Sequence, residues 1–379
     1  MADDMGGCLM LADGKVFSGV RCGAYAGADF ADAYGELVFT TQMTGFLETL
    51  TDPSYYGQIV IQTFPLVGNY GVIREDFEHS SISLSGYIAR EFCAEPSNFR
   101  SGGTIDGLLT EQGIPALSGV NTRELTRIIR NYGALPAVFL SKNPEELRDG
   151  ELDEIKEKLR DYKVKDAVRN VTSKEIIYHN AKNPKYKIAF WDFGAKRGII
   201  RALNNAGADV ISFPAYTTAS EILSHNPDGL MLSNGPGDPK DLPEISAEIG
   251  KFAQSKIPIF GICLGHQLLA ISQGAKTEKL KYGHRGGNHP VLDIRTQRLY
   301  ITSQNHGYAV SGGTLSPSVA SVTMINDHDK TCEGIEYKKI PAFSAQFHPE
   351  ACSGPEDTAF LFREFIENIE RQGGANRAS

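Results

Sequence analysis

Between residues 8 and 87 the chain alternates short apolar, β-type runs with turn residues. The runs fall at 37–41, 58–63 and 81–87, and Gly, Asp-Pro and Asn positions separate them. A helical period follows. Asn121 and Glu124 form a capping-box pattern, and Leu125, Ile128, Ile129 and Tyr132 make an apolar stripe that stops at Gly133. Residues 144–165 are dense in charge and carry a thin apolar face of Leu147, Leu152, Ile155 and Leu159, the pattern of a surface helix. The polar, turn-rich stretch 180–185 is the expected domain boundary.

Beyond Lys187 strand and helix patterns alternate. Strands are predicted at 188–193, 209–213, 229–232 and 257–262, and helices at 197–206, 244–253 and 264–273. That alternation predicts a parallel sheet with helices on both faces. Residues 291–347 turn β-rich, and 358–369 read as a closing amphipathic helix. The expected fold class is therefore α/β: a C-terminal, mostly parallel sheet flanked by helices over 187–375, preceded by a separate β-rich α/β N-terminal domain over 1–180.

A length of 379 residues fits two or three domains. With 38 Lys+Arg against 46 Asp+Glu, the net charge of −8 removes the basic footprint of a nucleic-acid binder. No apolar run approaches the ~18–20 residues of a membrane helix. The first eleven residues carry two aspartates and no basic region, unlike a secretory signal. The six cysteines form no CxxC pair and no zinc spacing, which predicts reduced thiols, a cytoplasmic location and no metal site. Neither a phosphate-binding GxxxxGK[ST] loop nor a GxGxxG turn after a strand is present, so no nucleotide cofactor is expected on this chain.

The chemistry concentrates at 259–268, IFGICLGHQL. An apolar strand runs into Gly261-x-Cys263-x-Gly265 and a helix starts at once, the cysteine form of a nucleophile elbow. Flanking glycines permit the sharp turn, and the helix N-terminus beside the sulfur favours thiolate. A buried cysteine on a tight turn is the plainer alternative. A thiol nucleophile needs a base, and the base an orienting group. His348 and Glu350, in the QFHPE run at 346–350, share one face of an extended segment. Alone, that run is explained as well by the end of a surface strand; with the elbow it completes a Cys263–His348–Glu350 triad. Three further segments look like substrate grips: SNGPGDP at 233–239, QNHGY at 304–308 and TDPSY at 51–55; an ordinary turn or hairpin explains each, and is the favoured reading for the first and, above all, for the last.

The GICLGHQ and FHPE runs together resemble the class I glutamine amidotransferase domain, over about 187–375. In the first domain LTDPSY (50–55), GNYG (68–71) and TRELT (122–126), and in the second WDFGAK (191–196) and QNHG (304–307), resemble the carbamoyl-phosphate synthase small-chain family. The resemblance implies that Cys263 attacks glutamine, with His348 as acid–base and Glu350 orienting it. It places Ser54, Gly235, Gly237, Leu264, Gln267, Asn305, Gly307 and Tyr308 at glutamine-binding positions, the N–H groups of Gly235 and Leu264 making the oxyanion hole. It also implies a large-subunit partner that carries ATP and Mg2+ and makes carbamoyl phosphate for arginine and pyrimidine biosynthesis. The first domain would then dock that partner. Tyr308 stands where Phe is common, and Cys352 has no role in the pattern. Another class I amidotransferase, or a scaffold with a buried, inert thiol, stays open at this stage.

Overall fold

Among the described residues, nine short strands occupy roughly the first third of the chain: β1 (Gly6–Leu11), β2 (Val16–Gly23), β3 (Ala33–Thr40), β4 (Gln58–Gln62), β5 (Leu66–Val67), β6 (Gly86–Ile88), β7 (Glu91–Phe92), β8 (Pro115–Ser118) and β9 (Leu135–Leu140). In the computed structural model, which describes residues 6–27, 30–351 and 353–377, seven of them close into a barrel in the order β1-β2-β8-β6-β4-β3-β9, and β5 pairs with β7 apart from it. The run β3-β4-β6-β8 is parallel and the remaining barrel pairs are antiparallel. Both faces of these strands are buried. Leu37, Ile59, Ile61, Ile88 and Leu117 feed one apolar cluster, and Val38, Val60, Tyr87 and Ala116 feed another.

The runs predicted at 37–41 and 58–63 are β3 and β4. The run at 81–87 forms a strand only at its end, because Ile82 and Leu84 are buried by loop packing and not by a ladder. The predicted helix is Thr122–Tyr132, with the Asn121 side chain accepting from the Glu124 N–H at 3.1 Å and Gly133 ending it at φ 98°. The charged stretch yields a helix at Glu151–Asp161. Its Ile155 and Leu159 pack with Met10, Val138 and Leu140.

The chain divides into two compact units between Ala167 and Val168, earlier than the boundary expected at 180–185. The reason is β10 (Ile177–His179), an edge strand that pairs with the second unit's sheet. The polar stretch is thus a turn inside that unit, with the Ala181 N–H donating to Asp209 and the Lys185 N–H to the Gly207 carbonyl.

The second unit adds β11 (Tyr186–Asp192), β12 (Ala208–Pro214), β13 (Gly229–Leu232), β14 (Ile259–Ile262), β15 (Thr277–Asp293), β16 (Arg298–Val310), β17 (Ala320–Asn326), β18 (Cys332–Tyr337) and β19 (Ala342–Ala345). They form one sheet in the order β10-β12-β11-β13-β14-β19-β18-β17-β15-β16. The span β12-β11-β13-β14-β19 is parallel, as the strand–helix alternation predicts. Successive residues of β11 point to opposite sides: Ala189 and Trp191 join a core with the helices Pro243–Phe252 and Leu264–Ser272, and Ile188 and Phe190 join one with Arg197–Asn205 and Phe360–Arg377. A parallel sheet covered on both faces leaves its carboxyl edge, where β11, β13 and β14 end, as the place for loops that carry chemistry.

Candidate active site

At that edge β14 turns into the helix Leu264–Ser272 through Cys263, whose φ of 53° and ψ of −105° lie outside the regions a side chain ordinarily tolerates. Two glycines make the turn feasible. A Cβ on Gly261 would lie 2.9 Å from the Gly265 carbonyl oxygen, and one on Gly265 would lie 2.4 Å from the Leu232 carbonyl oxygen. The turn is held by the Cys263 N–H donating to Ala345 at 2.9 Å and the Gly265 N–H donating to Ser233 at 2.9 Å. The thiol is 2% exposed, and its Sγ lies 3.7 Å from the Asn305 carbonyl oxygen on β16.

His348 follows β19 and is tied to β16, its N–H donating to the Ser303 carbonyl at 2.9 Å. Its Nδ1 is 2.6 Å from Oε1 of Glu350, the i+2 partner expected from an extended segment. The same Oε1 accepts from Nζ of Lys196 at 3.0 Å. Lys196, His348 and Glu350 are all buried. Burial by itself would raise the Glu350 pKa, but the Lys196 ammonium and then the His348 ring hold it down to about 2. For His348, burial pulls the pKa down and Lys196 adds to that. The Glu350 charge, with hydrogen bonding to the Cys263 side chain and to Glu350, outweighs both and raises it to about 10. His348 and Glu350 are therefore joined directly, and the Cys263 side chain acts on the same ring. Lys196 joins them on Glu350; the sequence pattern assigned it no site role, although it ends the WDFGAK run at 191–196, four residues past the end of β11.

The residues expected to grip a substrate fall in two groups. Gly235 presses on the elbow: a Cβ there would sit 2.3 Å from the Phe193 carbonyl oxygen and 2.8 Å from the Leu264 side chain. Gly237 adopts a φ of 95° that favours glycine. Leu264 is the first residue of the helix and is buried. Gln267, one turn along, donates its amide to the Tyr308 carbonyl at 2.8 Å and to Gln346 Oε1 at 2.9 Å. Asn305, Gly307 and Tyr308 follow one another on β16, with the Asn305 carbonyl at the thiol. Ser54 belongs to the first unit, on the buried turn Pro53–Tyr55, where its N–H donates to the Asp52 carboxylate at 2.9 Å. Cys352 lies outside the described residues.

Residues 189–368 match the family model for glutamine amidotransferase class-I, and residues 9–139 that for the CPSase domain of the carbamoyl-phosphate synthase small chain. The carbamoyl phosphate synthase small chain of Bacillus caldolyticus is 48% identical over 362 residues, covering 95% of this chain and 96% of its own length. That of Fusobacterium nucleatum is 48% identical over 363 residues, covering 96% and 98%. The pyrimidine-specific small chain of Bacillus subtilis is 47% identical over 362 residues, covering 96% and 95%. Identity of this level across both units, together with the two family matches, means that the chain belongs to the carbamoyl phosphate synthase small chain family, with a class I glutamine amidotransferase domain as its second unit.

Proposed function

We propose that this chain is the glutamine-hydrolysing small subunit of a carbamoyl-phosphate synthase and that Cys263, His348 and Glu350 carry out the hydrolysis. The observation that carries this reading is a strained thiol at a strand–helix elbow, facing an imidazole that a buried carboxylate keeps basic. Cys263 gives its proton to His348 and its Sγ adds to the side-chain amide carbon of glutamine, the C=O π bond opening so that the charge moves to the amide oxygen. The N–H groups of Leu264 and Gly235 would bind that oxyanion. The tetrahedral species collapses as His348 gives a proton to the departing amine, so the C–N bond breaks, ammonia leaves and a γ-glutamyl thioester remains. His348 then takes a proton from water as the water attacks the thioester, and glutamate departs with the thiol restored. Glu350 fixes the tautomer of the ring, and Lys196 keeps Glu350 ionised.

Gly237, Gln267, Asn305, Gly307 and Tyr308 would hold the glutamine. The ammonia would pass to a large subunit docked on the first unit, where ATP and Mg2+ drive carbamoyl phosphate formation from bicarbonate for arginine and pyrimidine synthesis. Free ammonia is largely protonated in neutral water and then no longer nucleophilic, which favours an enclosed transfer. The test is Cys263→Ser in the complex with the large subunit. Glutamine-dependent synthesis is expected to vanish while ammonia-dependent synthesis persists; loss of both, or of neither, removes Cys263 from this role.

A further inference from the structure

Behind the β16 segment that faces the thiol lies a second cluster of buried polar groups. His284 on β15 and His306 on β16 are cross-strand partners with ring centroids 4.9 Å apart, and Glu333 on β18 reaches them from the other side. All three are more than nine-tenths buried, and one donor atom from each can be chosen so that all lie within 4.8 Å of one another.

Their hydrogen bonds leave a specific conflict. Nε2 of His284 is 2.8 Å from Oδ2 of Asp329, and an ionised carboxylate only accepts, so the proton of a neutral ring sits there. Nδ1 is then a lone pair. It has no hydrogen-bond partner and lies 3.6 Å from Oε1 of Glu333, whose Oε2 is also buried without a partner. His306 repeats the pattern. Its Nδ1 is 2.8 Å from the Tyr308 carbonyl oxygen and must carry the proton, so its Nε2 lone pair faces Oε1 of Gln304 at 3.0 Å. The Gln304 amide is oriented by its Nε2 donating to Thr302 Oγ1, a hydroxyl that itself donates to the His289 carbonyl. Oε1 of Glu333 accepts from Asn326 Nδ2 at 3.2 Å, so what converges without a hydrogen-bond partner is Nδ1 of His284 and Oε2 of Glu333, beside the His306–Gln304 contact.

We propose that this cluster binds one divalent cation of the zinc class through Nδ1 of His284, Nε2 of His306 and the carboxylate of Glu333. Gln304 Oε1 stands next to His306 as a fourth donor. Imidazole with carboxylate is a donor set that suits Zn2+. Tetrahedral Zn2+ with bonds of ~2.0–2.1 Å keeps its ligand atoms roughly 3.3 Å apart, close to the separation of His284 from Glu333. The Asp329–His284 pair supplies the outer carboxylate that metal-bound histidines use to set tautomer and basicity. Bound there, the cation would cross-link β15, β16 and β18 directly beneath Asn305. The ligands come from three strands, so no sequence spacing announces them.

The experiment measures metal, not glutaminase activity, and so is independent of the proposed triad. The full-length chain, without a histidine tag and carrying Cys263→Ser to exclude that thiol, is incubated with Zn2+ or Co2+ and dialysed. About one equivalent per chain is expected, with the visible absorption of tetrahedral Co2+. Glu333→Gln should remove it. Asp329→Asn, a change at a half-exposed side chain, should weaken binding by ~10–100-fold even if the buried variant fails to fold. A parent chain that retains no cation, or one whose cation survives both substitutions unchanged, overturns the proposal and leaves a His284 imidazolium between Asp329 and Glu333 in its place.

Discussion

Substituting Gly265 by alanine tests whether the elbow positions the thiol. The added Cβ would lie 2.4 Å from the Leu232 carbonyl oxygen and 2.7 Å from the Leu232 carbonyl carbon and Cβ. Ordinary carbon–oxygen contact is roughly 3.3–3.6 Å, so about 1 Å of room must be found. Leu232 cannot supply it, because β13 is locked between β11 and β14, with Leu232 opposite Trp191 on one side and Gly261 on the other. The start of the helix must therefore move, and Cys263 two residues earlier moves with it. A displacement near 1 Å can cost ~10²-fold in rate, equivalent to ~2.7 kcal/mol of barrier. Overpacking itself costs ~1–3 kcal/mol of stability. The assay is glutamate release at saturating glutamine by the full chain in complex with its large subunit, read beside thermal unfolding. Gly250→Ala is the control: on the helix Pro243–Phe252 its Cβ would meet only Ser272 atoms at 3.9 Å, so it should gain ~0.5–1 kcal/mol and keep full rate. A Gly265→Ala enzyme that turns over glutamine at the wild-type rate would refute the idea that this close approach holds the nucleophile in place.

Three other outcomes follow from the buried array. His348→Asn should lower glutaminase kcat by ~10²–10⁴-fold, and Glu350→Gln by less, since mis-orienting a base costs less than deleting it; equal and negligible losses would place neither in the mechanism. Lys196→Met leaves Glu350 buried with one partner fewer, and breaking a buried pair costs ~3–5 kcal/mol, so its unfolding midpoint in urea should fall well below that of a surface Lys→Met control such as Lys251→Met. In pH, Glu350 has a folded pKa near 2 against an ordinary 4.5, so its contribution to stability is complete above 4.5 and is lost as pH falls through the folded value. His348 is raised from 6.5 to about 10, so its contribution is complete below 6.5 and is lost as pH rises towards 10. Urea midpoints across this range should decline at both ends in the wild type, and the acid decline should shrink in Glu350→Gln; an unchanged acid limb would contradict the assignment.

Local rules reached a good part of this molecule. A glycine on each side of Cys263 implied a sharp strand–helix turn, and both glycines are where a Cβ has no room. The i, i+2 spacing of His348 and Glu350 implied a shared face, and their side chains hydrogen-bond. The capped helix at 122–132 followed from Asn121 and Gly133. What escaped depends on contacts between distant segments. A barrel that mixes parallel and antiparallel pairs cannot be read from individual strands, because closure is decided by which edges meet. The polar stretch 180–185 looked like a linker, yet β10 before it completes a sheet edge, and a three-residue strand is too short to carry a period. Lys196 reaches Glu350 only because β11 and the segment after β19 end on the same edge of the sheet. His284 and His306 meet as partners on the β15–β16 ladder, and Glu333 comes from β18, separated from β15 in the sheet by β17, so their convergence depends on segments far apart in sequence.

The closure of the barrel also orders events during synthesis. The ladder between β1 and β9 sets Cys8 opposite Leu140 and Leu11 opposite Ala137, so the first strand made waits for the last. Until β9 has left the ribosome, β1 has a partner only in β2, and one edge of β3 has none. A ribosome stalled at about residue 120 would hold a nascent unit with two open strand edges, the condition that invites pairing with a neighbouring chain. Ladder closure over so long a loop also places the barrel among slow-folding topologies. The short helix Glu151–Asp161 packs on Met10, Val138 and Leu140, residues of the closing pair itself, so the seam is sealed by sequence translated immediately after it. The first unit is therefore completed only at its own carboxyl end, and a truncation that spares every earlier strand but removes β9 would leave an open sheet in place of a barrel.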